Sequence, residues 1–207
     1  MTGLIAILRG LEPTEASEVG SVLYESGLRT LEVPLNSPEP LRSIEILRSS
    51  LPQDARVGAG TVLTTAQVTS VKEAGGQLVV SPNTNPEVIA ATAAAGLASY
   101  PGVATVSEAF TAIEAGAGAL KLFPAQQVGL AGMKAWLAVL PPVDLIPVGG
   151  VGADEMAEWV AAGATGFGIG SALFAPGVRL EELRTQAAAL VQAWDAAAPG
   201  VRTVHTD

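Results

Sequence analysis

Three consecutive stretches decide the fold: Thr30-Leu31-Glu32-Val33, then Pro38-Glu39-Pro40-Leu41-Arg42-Ser43-Ile44-Glu45-Ile46-Leu47-Arg48-Ser49-Ser50, then Arg56-Val57-Gly58-Ala59. The outer two are short, apolar and strand-like; the middle one has helical period. Strands joined through a helix pair in parallel, because antiparallel neighbours would not need the crossover. Working outward, the same unit recurs along the chain. Strand-like runs are expected at Leu4 to Leu8, Thr30 to Val33, Arg56 to Ala59, Leu78 to Val80, Leu97 to Tyr100, Ala119 to Phe123, Leu145 to Val148 and Gly166 to Ile169. Helices are expected at Thr14 to Ser26, Pro38 to Ser50, Thr65 to Ala74, Pro86 to Ala95, Ser107 to Ala115, Leu130 to Val139, Ala153 to Ala162 and Leu180 to Ala198.

Start and stop signals support these units. Thr14 and Ser107 read as side-chain caps, and Ser37-Pro38 and Asn85-Pro86 put proline at the first helical position. Gly27, Gly75, Gly96, Gly116 and Gly163 each follow a helical stretch, where a positive φ ends it at no steric cost. Pro34, Pro82, Pro101 and Pro124 lie at or just past strand ends, where a missing amide donor does least harm. Pro147 falls inside the seventh run and predicts a local irregularity there. Eight β-α units without an intervening linker predict one α/β domain over 1–207, a single-domain (β/α)8 TIM barrel with residues 199–207 as a polar tail. The rival, a doubly wound sheet, usually opens on a Gly-rich turn, whereas the first turn here reads Leu8-Arg9-Gly10-Leu11.

Composition removes several function classes. Twenty acids against 11 bases give a net charge of −9, which repels a phosphate backbone, so no nucleic-acid partner is expected. No uninterrupted apolar run approaches the roughly 18 residues of a spanning helix, so no membrane partner is expected either. With zero cysteines there is no thiolate chemistry, and the sole histidine, His205, falls in the polar tail. A His- or Cys-ligated metal and a Ser-His-Asp triad are thereby argued against. The amino terminus enters an apolar run of only Leu4 to Leu8, too short for a signal peptide, and the chain reads as cytoplasmic.

A barrel of this kind builds its active site where strands run into their following loops. The polar residues at those ends are Arg9, Glu32, Thr61, Ser81, Lys121, Gly149, Gly150 and Ser171. Lys121 sits within Ala119-Leu120-Lys121-Leu122-Phe123-Pro124, one of only three lysines in the chain. Burying an ammonium is costly, so such a lysine is either a neutral amine able to condense with a ketone or a structural group, salt-bridged inside the barrel or pointing outward. Glu32 is its parallel: counter-ion, proton shuttle, or both. The Arg9 guanidinium could grip a carboxylate or phosphate with two prongs. Gly149-Gly150-Val151-Gly152 and Gly168-Ile169-Gly170-Ser171 follow the seventh and eighth strands, where bare amides form an anion cradle in such barrels.

These residues carry a resemblance. Leu31-Glu32-Val33, Gly58-Ala59-Gly60-Thr61-Val62, Ser81-Pro82, Lys121-Leu122-Phe123-Pro124 and Val148-Gly149-Gly150 match, in order, the KDPG/KHG aldolase family from Leu4 to about Pro176. These are class I aldolases that cleave 2-keto-3-deoxy-6-phospho sugar acids. The resemblance implies that Lys121 forms the Schiff base and Glu32 moves protons. It further implies that Arg9 and Thr61 hold the C1 carboxylate, that Gly149, Gly150, Gly170 and Ser171 bind phosphate, and that Pro82 and Phe123 wall the pyruvate pocket. No metal or cofactor is implied; a homotrimer is.

Two details resemble the galactonate branch of that family. Leu35-Asn36-Ser37 stands where the gluconate branch carries an arginine, Arg9 being offered instead, and Val148 stands where that branch has threonine. The substrate so implied is 2-dehydro-3-deoxy-6-phosphogalactonate, cleaved to pyruvate and D-glyceraldehyde 3-phosphate. The alternatives are cleavage of the gluconate epimer or of 4-hydroxy-2-oxoglutarate, a phosphosugar isomerase that forms no imine, and a non-catalytic barrel binding a phosphosugar acid.

Overall fold

The computed structural model describes residues 3–198; Met1, Thr2 and the expected polar tail at 199–207, with His205, lie outside the described residues. Every apolar run is a strand. The order is β1 (Gly3–Ile7), α1 (Ala16–Glu25), β2 (Thr30–Pro34), α2 (Pro40–Ser50), β3 (Arg56–Gly60), α3 (Thr65–Glu73), β4 (Leu78–Val80), α4 (Pro86–Ala94), β5 (Ala98–Tyr100) and β6 (Gly102–Val103). There follow α5 (Val106–Glu114), β7 (Leu120–Leu122), α6 (Ala125–Leu137), β8 (Leu145–Pro147), a 3-10 turn (Ala153–Glu155), α7 (Met156–Ala161), β9 (Gly166–Ile169) and α8 (Leu180–Ala197).

The strands form two parallel sheets, one in the order β5-β4-β3-β2-β1-β9 and one in the order β6-β7-β8. The fifth expected strand ends at Tyr100 as read, because Pro101 has no amide hydrogen to continue the ladder, and an unexpected short strand, β6, follows it in the other sheet. Hydrogen bonds nonetheless run past the break: β7 and the residues on either side of it donate to Ser99 O (from Gly118 N, 2.9 Å), Pro101 O (from Lys121 N, 2.9 Å) and Val103 O (from Phe123 N, 3.1 Å). At the other junction Thr165 N donates to Leu145 O at 3.0 Å, and a lone bridge pairs Val148 with Gly168. Pro147 lies between these two contacts. It cannot donate, and the regular ladder between β8 and β9 is interrupted there, as expected.

Three helix caps fall elsewhere than expected, each for a local reason. The N-cap of α1 is Glu15, not Thr14, because a turn closed by Glu15 N on Glu12 O (3.2 Å) delays the helix. Glu39 takes the left-handed conformation (φ 35°), so Pro40 rather than Pro38 occupies the first turn of α2. Thr105 caps α5 by accepting from Glu108 N at 3.2 Å, leaving Ser107 inside the helix. Asn85 caps α4 as expected, accepting from Glu87 N at 3.0 Å. The sixth helix begins earlier than expected, at Ala125, and is broken at Gly129 (φ 68°, ψ 173°), with the expected segment following the break. All five helix-stop glycines have positive φ.

Alternation along the strands sorts the core into two layers. Leu31, Val33, Leu120, Leu122 and Phe167 face the helices and belong to the larger apolar cluster. Phe167 is fully buried and meets Trp194 of α8 edge-on at 5.9 Å, which seats the last helix; truncating it to Ala would cost about 3–5 kcal/mol. Ile5, Ile7, Leu78, Val80, Tyr100, Ile146 and Val148 form a second, inner cluster. Glu32 and Lys121 alternate with outward-facing leucines and valines, so the same parity turns both charged side chains toward this inner layer. Glycine keeps that layer narrow, since a Cβ at Gly58 would strike the Leu78 carbonyl and one at Gly166 would strike the backbone of Gly3.

Candidate active site

The geometry brings Lys121 and Glu32 together. Lys121 on β7 is 8% exposed and Glu32 on β2 is 2% exposed. Both line a narrow cavity of about 10 Å³, the scale of a single water, with walls of Ile5, Ile7, Tyr100 and Ile146. They form no ion pair with each other, and Glu32 Oε2 has no hydrogen-bond partner among the described residues. The Lys121 ammonium position lies 4.8 Å from the centroid of the Phe123 ring, where a cation is attracted by the ring face.

Burial governs both titrations. It pushes the Glu32 carboxyl up to about 7, against the opposing pull of the Lys121 and Arg9 charges. Burial also lowers the Lys121 amine; Glu32 opposes this and Arg9 adds to it. Burial thus disfavours the charged form of both groups, moving the carboxyl up and the amine down.

Gly60 makes room for the acid. A Cβ there would overlap the Glu32 carboxyl, which explains the glycine in the Gly58-Ala59-Gly60 run on steric grounds. Thr61 follows with φ 56°, a left-handed conformation rare for a β-branched residue and costing on the order of 1–3 kcal/mol. It stands, half-buried, at the end of β3. Pro82, also half-buried, lies past β4, its carbonyl against Gly102 of β6.

A larger cavity of about 670 Å³ opens above the narrow one, and Ile7, Val148 and Gly168 line both. Arg9, Phe123, Gly149, Gly150, Gly170 and Ser171 all border it. Gly149 and Gly150 have φ of 97° and 77°, so the paired glycines turn the chain in a way other residues rarely follow. Of the expected site residues, then, Lys121 and Glu32 share the inner cavity and seven others border the outer one, while Thr61 and Pro82 stand on strand-end loops outside both linings.

Three contributors escaped the sequence reading. Asn36 accepts a hydrogen bond from Arg9 Nη1 at 2.7 Å. Gln126 Nε2 donates to Gly150 O at 3.3 Å and fills the space a Gly150 side chain would need. Glu155 borders the outer cavity with its carboxylate accepting from Gly152 N at 3.2 Å. No periodicity marks these residues, one in a turn and two at the start of helical segments; the glycines that two of them support were the available signal. Among the described residues no cluster of three or more His, Cys, Asp or Glu could hold a metal ion, and no helix is long and apolar enough to cross a membrane.

A parallel α/β scaffold with a desolvated lysine, a buried glutamate whose Oε2 has no hydrogen-bond partner among the described residues, and glycine loops at the mouth is the layout of a class I aldolase. The chain belongs to the KDPG and KHG aldolase family, whose model matches residues 2–188. It is 45% identical to the 2-dehydro-3-deoxy-6-phosphogalactonate aldolase of Escherichia coli (strain K12), covering 92% of this chain and 94% of that one. The solved native KDPGal structure superposes with a TM-score of 0.92 at 44% identity, over 94% of this chain and 95% of that one. KDPG aldolase from Legionella pneumophila, solved with pyruvate captured as a covalent carbinolamine intermediate, superposes with a TM-score of 0.80 at 27% identity, over 95% and 94%.

Proposed function

We propose that the chain is a metal-independent, Schiff-base aldolase that cleaves 2-dehydro-3-deoxy-6-phosphogalactonate to pyruvate and D-glyceraldehyde 3-phosphate. The observation that carries this reading is the pairing of Lys121 with Glu32 in one apolar cavity without an ion pair between them. The neutral amine adds to the C2 ketone, and loss of water gives an iminium. Arg9 and Thr61 hold the C1 carboxylate, and the Phe123 face supports the new cation. Ionised Glu32, directly or through one water, takes the C4 hydroxyl proton as C3–C4 breaks, and the bonding pair flows into the iminium to leave an enamine. The aldehyde product departs with the phosphate. Protonated Glu32 then returns its proton to C3, and hydrolysis frees pyruvate and the lysine.

Gly149, Gly150, Gly170 and Ser171 take the phosphate in this reading, lending remote binding energy that fixes the reacting end. Phe123 walls the pyruvate pocket, and Pro82, outside both linings, is assigned to the same wall on the resemblance alone. Val148, apolar at the junction of the two cavities, favours the galacto over the gluco epimer.

We also read the two sheets as arcs of one closed (β/α)8 barrel, supported by the hydrogen bonds at both junctions. A homotrimer in the cytoplasm rests on the resemblance and on the absence of cysteine; light scattering of the purified chain tests the trimer. Borohydride added with pyruvate should leave a reduced adduct on Lys121, read by peptide mass spectrometry. Labelling elsewhere, or none, would refute the mechanism. Parallel assays of both phosphorylated epimers, coupled to pyruvate detection, test the substrate.

A further inference from the structure

We infer that Asn36 is a positioning residue, holding the Arg9 guanidinium across the mouth of the outer cavity through a neutral acceptor that leaves its charge free for the substrate. Arg9 follows β1 and is exposed, as is Asn36. Arg9 Nη1 donates to Asn36 Oδ1 at 2.7 Å, while the next amide along, Gly10 N, donates to Ser37 Oγ at 2.9 Å. Both acceptors belong to one turn, closed by Ser37 N on Pro34 O (2.9 Å) and tied to β3 by Leu35 N on Gly60 O (2.8 Å). On its other flank Gly10, with φ 83°, backs so closely onto the Pro176 ring that a Cβ would meet it at 2.7 Å. The Arg9-Gly10 corner is therefore gripped at the backbone by Ser37 and Pro176, and at the side-chain tip by Asn36.

The chemistry of the acceptor matters. An arginine free to sample its rotamers loses that freedom when it grips an anion; one held in advance loses less. A carboxylate at residue 36 would also hold it, but as an ion pair competing with the substrate for the same N–H groups. An amide oxygen takes one hydrogen bond and neutralises nothing. Among the described residues Arg9 has no acidic partner at ion-pair distance, and its charge is felt by both Glu32 and Lys121.

The inference rests on the reading of Arg9 as the grip on the substrate carboxylate, and the test separates the two. Steady-state kinetics on 2-dehydro-3-deoxy-6-phosphogalactonate are measured for the full chain, Asn36→Ala, Arg9→Ala, the double variant and Asn36→Asp. Asn36→Ala is expected to raise KM about tenfold with kcat within about threefold, the signature of lost ground-state binding. The double variant should be no worse than Arg9→Ala, because Asn36 acts only through Arg9. Asn36→Asp should raise KM at least as far as Asn36→Ala. An unchanged KM in Asn36→Ala, or a double variant worse than Arg9→Ala by the full single-variant factor, overturns the role of Asn36. An unchanged KM in Asn36→Asp overturns the need for a neutral acceptor. If Arg9→Ala itself leaves KM unchanged, the reading of Arg9 fails, and this inference with it.

Discussion

The carboxyl of Glu32 lies against the α-carbon of Gly60, in the space a side chain at 60 would occupy. The two sit on neighbouring strands whose register sets Glu32 beside Gly58 and Pro34 beside Gly60. Gly60→Ala is therefore expected to push the carboxyl out of line. A displaced proton carrier should cost about 100-fold in kcat, with overpacking costing about 1–3 kcal/mol of stability. Kinetics and thermal melts check this; an unaltered kcat would count against Glu32 as the proton carrier.

Stability should depend on pH through the same residue. The Glu32 carboxyl titrates near 7 in the native chain and near 4.5 when free, so between these values the folded state holds the extra proton. Its contribution is fully present below pH 4.5 and is lost as pH rises through about 7, on the order of a few kcal/mol. Lys121 acts oppositely: with its amine lowered from 10.5, stability rises with pH up to that value. Glu32→Gln should remove the decline seen in urea titrations from pH 4.5 to 7.

Turnover should have the opposite acid limb. Cleavage needs the carboxylate, so kcat/KM is expected to climb through pH about 7, with an apparent value belonging to the coupled Glu32–Lys121 pair. In Glu32→Gln the limb should vanish, and the rate should fall about 100- to 10,000-fold. A pH–rate profile that keeps the limb in the variant assigns it to another group.

Val148 is 6% exposed and offers no hydrogen bond to a substrate hydroxyl. Val148→Thr is expected to raise the gluconate-to-galactonate ratio of kcat/KM about tenfold, at a stability cost of about 1–2 kcal/mol for the hydroxyl in an apolar wall. Side-by-side assays decide; a fixed ratio means that this position does not read C4.

Ser43 on α2 is wholly buried, and its hydroxyl has no partner among the described residues. Ser43→Ala should stabilise the chain by about 1 kcal/mol without altering kcat, since it deletes an unmet polar group and improves helix propensity. Calorimetry tests this, a lower melting temperature being the contrary result.

What the sequence made legible follows from what repeats. Leu31-Glu32-Val33 and Leu120-Lys121-Leu122 announce a charge set among strand-forming apolar residues, and with those apolar neighbours packed in the larger cluster, alternation turns the charge inward. The caps were harder: whether Thr105 or Ser107 starts α5 depends on Glu108 returning its carboxylate to Ala104 N, a choice between neighbouring residues of similar chemistry. The end of the fifth strand before Pro101 was readable as a missing donor, whereas the two-residue β6 beyond it, in the other sheet, is too short to show a pattern. Asn36 and Gln126 were illegible, because their partners arrive from 27 and 24 residues away.

Pro147, unable to give an amide hydrogen, interrupts the ladder between the two bonds that Thr165 gives Leu145 O and the Val148–Gly168 bridge, just before the glycine loop assigned to the phosphate. A seam with fewer ladder bonds is where the strands open most readily to solvent, so amide exchange at Phe167 to Ile169 should run faster than at β2 and β3, whose pairing is unbroken.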